Sequence, residues 1–266
     1  QNSRLMSRIM RSAFDLGCLI MQHAEDNELS QNGMMNDGVI ATKLGLQGIP
    51  EVAEKIIIER DLSLLEDFNC RYHISQISSS KSLEVIEKKK DQIDFTTGVS
   101  INNLSLNEND IGDFRTFLKL SPPLRTEEDR QSLIRGINKD LIEVLVSDHK
   151  PEDEESKRLT FSQAATGASG IETLLPLSLE LFHNNSIKLS KIIKLLTSNP
   201  AKVLKVDKGN LSIGNDADFC IVDINKPWIV KKEKMISKSK NTCIEDKKLQ
   251  GKVTNTFVKG VELFKL

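Results

Sequence analysis

The sequence predicts an α/β fold in two parts: strands alternating with helices over residues 1–204, then a small β-rich subdomain over 205–266. Three observations carry this expectation. Short apolar β runs alternate with amphipathic stretches, the order expected of a parallel sheet or barrel. His23, His73, Asn102-Asn103 and Asp148 stand at strand ends, and a (β/α) barrel brings the loops at its strand carboxyl ends to one mouth. From about residue 205 the texture changes to short β runs and glycine turns.

The elements follow in order. Leu5, Met6, Ile9, Met10, Ala13 and Phe14 have helical spacing, and Gly17 stands where that helix should end. Cys18–Met21 reads as a short buried strand running into Gln22-His-Ala-Glu-Asp26. Pro50 sits at a tolerated first-turn position of a second helix, with Ala53, Ile56, Ile57 and Leu64 facing inward. Arg71–Ile77 is a second strand, followed by Ser78-Ser79-Ser80, whose hydroxyls can cap another helix. Ile93–Val99 is a third strand, and Thr126-Glu-Glu-Asp129 resembles a capping box before the helix carrying Leu133, Ile134 and Ile137. Val144–Val146 is the fourth strand, running into Ser147-Asp148-His149. In the tail, Phe219–Val222, Val253–Val258 and Val261–Phe264 read as strands, and Lys231–Lys240 as a solvated loop.

Composition narrows the function classes. Lys+Arg number 37 and Asp+Glu 38, for a net charge of −1, which argues against a generally basic nucleic-acid binder. Apolar runs such as Ile56-Ile57-Ile58 are too short to span a bilayer. Cys18, Cys70, Cys220 and Cys243 form no CxxC pair, and no secretory signal is visible, so reduced thiols in the cytoplasm are expected. Cys18 itself reads as a small core hydrophobe. A complete eight-stranded barrel needs roughly 250 residues. The region before the β tail yields four strands, so the first half of a barrel is expected to lie outside this sequence. The chain alone is expected to be inactive.

Two strand-end histidines with a strand-end aspartate, His23, His73 and Asp148, form a candidate divalent-metal set. Neutral imidazoles and a carboxylate suit zinc, with one position left open for water. Each histidine also has a purely structural reading. His149 is either a partner of Asp148 or a surface residue, His183 sits at a helix end where a cation meets free carbonyls, and Glu25 and Asp26 either orient His23 or face solvent. No GxxxxGK[ST], GxGxxG or GxSxG sequence is present, which removes support for the common nucleotide and serine-hydrolase readings.

Taken in order, several motifs resemble those of the dihydroorotase family of the long bacterial type, within the amidohydrolase superfamily. They are Gln22-His-Ala-Glu-Asp26, Tyr72-His-Ile-Ser75, Leu120-Ser-Pro-Pro-Leu-Arg125 with Glu128-Asp-Arg130, and Val146-Ser-Asp-His149. Gly170-Ile-Glu-Thr173, Ser198-Asn-Pro-Ala201, Gly209-x-Leu-x-x-Gly-x-x-Ala-Asp218 and Ser237-Lys-Ser-Lys-Asn-Thr242 complete the series. The resemblance implies the second half of a metal-dependent hydrolase barrel of the TIM type, about strands five to eight. It implies one or two zinc ions, with His23, His73 and Asp148 as ligands and Asp148 as catalytic acid/base. The implied reaction is the reversible cyclisation of N-carbamoyl-L-aspartate to dihydroorotate in pyrimidine biosynthesis. Implied partners are that small-molecule substrate, aspartate carbamoyltransferase and a second copy in a homodimer, with neither nucleic acid nor membrane.

Asn103, Ser121, Glu152 and Gly167 are the candidate substrate-binding positions. Three of them depart from the family's usual residues. Ile101-Asn102-Asn103-Leu104 stands where many relatives read Pro-His-His-Leu, Ser121 where they carry asparagine, and Glu152 where many have a substrate-contacting histidine. Two further readings stay open: a non-catalytic scaffold for aspartate carbamoyltransferase, and a cyclic amidase of the hydantoinase or allantoinase kind.

Overall fold

A computed structural model describes residues 2–266 of the chain. The strands are β1 (Leu19–Gln22), β2 (Met35–Asn36), β3 (Gly48–Ile49), β4 (Arg71–Ile77), β5 (Thr96–Ser100), β6 (Val144–Val146), β7 (Phe219–Ile229), β8 (Lys248–Val258) and β9 (Val261–Lys265). The helices are α1 (Ser3–Leu16), α2 (Val39–Leu44), α3 (Glu51–Phe68), α4 (Ser80–Lys89), α5 (Ile101–Ser105), α6 (Glu127–Asn138), α7 (Glu154–Arg158), α8 (Leu174–His183), α9 (Leu189–Leu196) and α10 (Ser198–Leu204). Strands β1, β4, β5 and β6 pair in that order, every pair parallel. β2 and β3 form a small parallel pair, and β7, β8 and β9 an antiparallel sheet.

Local chemistry explains the helix ends. Asn2 caps α1 through the Arg4 amide, and Gly17 closes it at φ 66°, a conformation that costs glycine little. Met6, Met10 and Ala13 are the buried stripe, whereas Leu5, Ile9 and Phe14 lie one position off it and stay largely exposed. Pro50 is the extended cap residue of α3, one position before the helix proper. Ala53 and Ile57 are buried there as expected, with Ile58, Leu62 and Leu65, while Ile56 faces outward. Ser79 caps α4, and Thr126 with Asp129 makes both bonds of the capping box on α6.

Three other expectations are corrected. The third strand starts at Thr96 rather than Ile93, because Lys89 carbonyl bonds to Gln92 and Ile93 extend the turn after α4. Cys18 is exposed, since its residue joins α1 to β1 outside the core. The lysine-rich stretch is not simply solvated: Met235 is buried, and the chain beyond it buries Asn241, Thr242, Cys243 and Ile244.

One hydrophobic cluster draws on both parts of the chain, with Ile74, Val99 and Leu145 of the parallel sheet alongside Val230, Cys243, Ile244 and Leu249. The approach of β8 to α8 is close enough that a Cβ on Gly251 would lie 2.3 Å from Leu179 Cδ1. At the free edge of the parallel sheet, Met21 of β1 is 55% exposed. Among the described residues, no helix is long and apolar enough to cross a membrane.

Candidate active site at the strand carboxyl ends

His23 follows β1 directly, and Asp148 lies two residues beyond β6. Asp148 adopts φ 48°, a left-handed conformation that a non-glycine residue holds only when its surroundings enforce it. Its Oδ1 accepts a hydrogen bond from Gln76 Nε2 at 3.0 Å. Burial raises the Asp148 pKa; the Gln76 bond and the charges of His23 and Lys150 oppose that rise. A buried carboxyl whose pKa is raised, standing in a cleft, suits proton transfer.

His23 Nε2 lies 3.3 Å from Glu25 Oε2 and 3.3 Å from Ser121 Oγ. The hydrogen bond to Glu25 is the main reason that its pKa is raised, with Asp148 adding a smaller Coulombic pull. Glu25 is correspondingly lowered by His23. Ser121 reaches His23 from a cis peptide bond to Pro122.

His73 is placed differently from the sequence expectation. It is the third residue of β4, not a residue after the strand, and only 1% exposed. Its Nδ1 lies 2.8 Å from Thr96 Oγ1 on the neighbouring strand. Burial, aided by the Lys90 charge, pushes its pKa down to about 4, so the ring is neutral near pH 7. His73, Gln76 and Asp148 line one cleft of about 430 Å³. His23 lines another of about 270 Å³ with Glu25 and Ser121. Among the described residues, no group of three His, Cys, Asp or Glu side chains is assembled to hold a metal ion.

The substrate-binding candidates separate into two neighbourhoods. Asn103 is buried on α5, where its Nδ2 donates to the Pro123 carbonyl at 2.9 Å and its Oδ1 has no partner among the described residues. Pro123 lies two residues beyond Ser121. Glu152 and Gly167 meet through Asn241 instead. Asn241 Oδ1 accepts from the Glu152 amide at 3.4 Å, and its Nδ2 donates to the Gly167 carbonyl at 3.1 Å. Gly167 needs its missing side chain, because at φ 137° a Cβ would lie 2.6 Å from the Lys150 carbonyl oxygen. Its carbonyl also accepts from Lys157 Nζ at 2.8 Å. His149 is a loop anchor, its Nδ1 accepting from the Gly170 amide at 3.1 Å. His183 Nε2 lies 3.0 Å from the Ile224 carbonyl oxygen, away from this site.

Two polar features escaped the sequence reading. Glu54 of α3, 3% exposed, accepts from the amides of Ser78 and Ser79 after β4. Arg125 Nε donates to Ser78 Oγ at 3.1 Å and its Nη1 to Asn36 Oδ1 at 2.9 Å, and Asn36 Nδ2 donates to Glu108 Oε2 at 2.7 Å. Lys157 is 2% exposed, its ammonium clamping the carbonyls of Ala165 and Gly167. The hydroxyl run and the Pro-Pro-Leu-Arg motif marked part of the first network. Nothing in the spacing marked Lys157.

The α/β fold with its parallel sheet agrees with what comparison shows. The Amidohydrolase family matches residues 1–263, and the chain belongs to that family. A protein named dihydroorotase from Ehrlichia canis (strain Jake) is 40% identical over 97% of this chain and 58% of its own length. One of the same name from Anaplasma phagocytophilum (strain HZ) is 38% identical over 99% of this chain and 60% of its own. The chain therefore spans about 60% of the length of the curated relatives it matches. In fold it is similar to an L-hydantoinase (dihydropyrimidinase) from Arthrobacter aurescens, with a TM-score of 0.88 at 24% identity, covering 100% of this chain and 61% of that one. A D-hydantoinase from Thermus sp. gives 0.86 at 20%, covering 100% and 61%.

Proposed function

We propose that this chain is the carboxyl-terminal part of a dihydroorotase-type cyclic amidohydrolase. The whole protein would interconvert N-carbamoyl-L-aspartate and dihydroorotate in the cytoplasm. In this reading residues 1–204 are the second half of a (β/α) barrel and residues 205–266 its β subdomain. The observation that supports it most is the match to relatives named dihydroorotase over nearly the whole chain.

Asp148 is the residue to which we assign the proton steps. In the hydrolytic direction it takes a proton from the attacking water as the C–O bond forms at the ring carbonyl. It returns that proton to the ring nitrogen as the C–N bond breaks. His23, with Glu25 and Ser121 beside it, lines the approach. Zinc is the metal we expected, and a catalytic zinc site takes three protein ligands. The set His23, His73 and Asp148 does not meet that requirement here, because no three such side chains among the described residues are assembled to hold a metal, and His73 lies within β4 rather than beyond its end.

That misfit also favours a second reading, a dihydroorotase-like scaffold without catalysis, with aspartate carbamoyltransferase as its partner. The deciding assay is dihydroorotate formation and hydrolysis by the full natural polypeptide that contains this chain. Under the enzyme reading, Asp148→Asn lowers turnover by about 10²–10⁴-fold, because an amide cannot accept the proton. Turnover unchanged in that variant removes Asp148 from the chemistry. A folded wild type that turns over nothing but binds the transferase establishes the scaffold instead.

A further inference from the structure

We infer that β4 gives this protein's site no metal ligand, and that Gln76 stands in the ligand's place as an amide that positions Asp148. The inference rests on the reading of Asp148 as the site carboxylate. The strand register is the first support. β4 and β5 pair from His73 through Ile74, and the register shifts before Ile77. Strict alternation would put residues 73, 75 and 77 on one face. With the irregularity Gln76 lines the cleft alongside His73 and Ser75, while Ile77 is fully buried.

Donor chemistry is the second support. Gln76 presents its Nε2 to Asp148, so its donor end faces the carboxylate at 3.0 Å. An amide nitrogen offers no lone pair to a metal, and the amide oxygen suits calcium or magnesium better than zinc. His73 has Nε2 as its one remaining donor, since Nδ1 is held by Thr96, and no three His, Cys, Asp or Glu side chains among the described residues are assembled to hold a metal. From this chain, a metal would have His23 and Asp148 alone, one donor short of the usual three. The amide bond to Oδ1 fixes the carboxyl without placing a charge beside it.

The test uses the full natural polypeptide, with zinc per chain measured after dialysis and zinc affinity measured by titration against thermal unfolding. Wild type and His73→Asn should hold the same zinc content. Gln76→His should tighten zinc binding by about 10-fold or more, the scale on which ligand-shell changes act. Two results would overturn the inference: a folded His73→Asn variant that loses the zinc that wild type holds, or a folded Gln76→His variant whose zinc affinity is unchanged. If His73→Asn does not fold, Gln76→His alone decides. Dihydroorotate turnover is read separately. Its absence with the expected zinc behaviour sinks the enzyme reading and leaves this inference standing.

Discussion

Replacing Glu54 by glutamine should destabilise the folded protein by about 2–5 kcal/mol, although the two side chains have nearly the same shape. Glu54 Oε1 accepts from the Ser78 amide at 3.1 Å and the Ser79 amide at 3.3 Å; Oε2 accepts from the Ser78 amide at 3.0 Å and from the Ser78 hydroxyl. Glutamine keeps one acceptor oxygen and turns an NH2 group toward the remaining donors. A serine hydroxyl can rotate to accept, but a backbone N–H cannot. An oxygen at the Oε1 position keeps both amides, but the NH2 then meets the Ser78 N–H donor to donor, an unsatisfied buried opposition that costs about 1–3 kcal/mol. The buried Arg125, linked to Glu54 through Ser78 Oγ, also loses the nearby negative charge, and uncompensated buried charges cost about 3–5 kcal/mol when fully desolvated. Arg125 retains Asn36 and the Ile49 carbonyl, so only part of that applies.

The assay is urea unfolding of wild type and Glu54→Gln in the full natural polypeptide, comparing midpoints at equal slope. A loss within about 0.5 kcal/mol, the range of ordinary surface substitutions, would refute the account of Glu54 as the acceptor that closes the turn after β4. Under the proposed enzyme reading, dihydroorotate turnover falls only as far as the folded population falls.

Two further outcomes are expected. Gly98→Ala should cost about 1–3 kcal/mol by overpacking, because the added Cβ would sit 2.4 Å from the Ser75 carbonyl oxygen, a backbone atom that cannot swing away; thermal unfolding of the variant checks this. Burial holds the Lys157 pKa down to about 8 against an ordinary 10.5, so the native state disfavours its proton and stability should rise between pH 8 and 10.5. That gain is on the order of 3 kcal/mol, and it should vanish from the pH dependence of Lys157→Met measured over the same range.

The parallel order of β1, β4, β5 and β6 was legible because each strand is a short apolar run ending in polar residues, and the caps at Ser79 and Thr126 were legible because capping is local chemistry. The site was legible only in part. His23 and Asp148 follow their strands as the sequence reading placed them, but His73 was assigned to a strand end although the run Arg71–Ile77 continues past it. Finding Gln76 required the register shift between Ile74 and Ile77, which depends on how β4 meets β5 and leaves no mark in a single sequence. The buried Lys157 was hidden for a similar reason. Its carbonyl partners lie 8 and 10 residues away, in a loop without periodicity.

The motifs that made the resemblance visible act mainly on the fold. Arg125 of the Pro-Pro-Leu-Arg motif ties Ser78 to Asn36 and Ile49, and Asn241 of the Lys-Asn-Thr motif ties Gly167 and Ser169 to Glu152. Both are buried and fully engaged in holding loops. Such residues are demanded by any protein that keeps these loops in place, whether or not it turns over substrate. Identity of 40% to dihydroorotases can therefore arise from the frame alone. Chemical competence rests on far fewer positions, the side chains that stand free at the strand ends. At those positions this chain presents His23 and Asp148 together with an amide at Gln76 and a carboxylate at Glu152. Under the proposed reading, the activity of the whole protein turns on whether Asp148, held by Gln76, passes a proton, and Asp148→Asn reads that step directly.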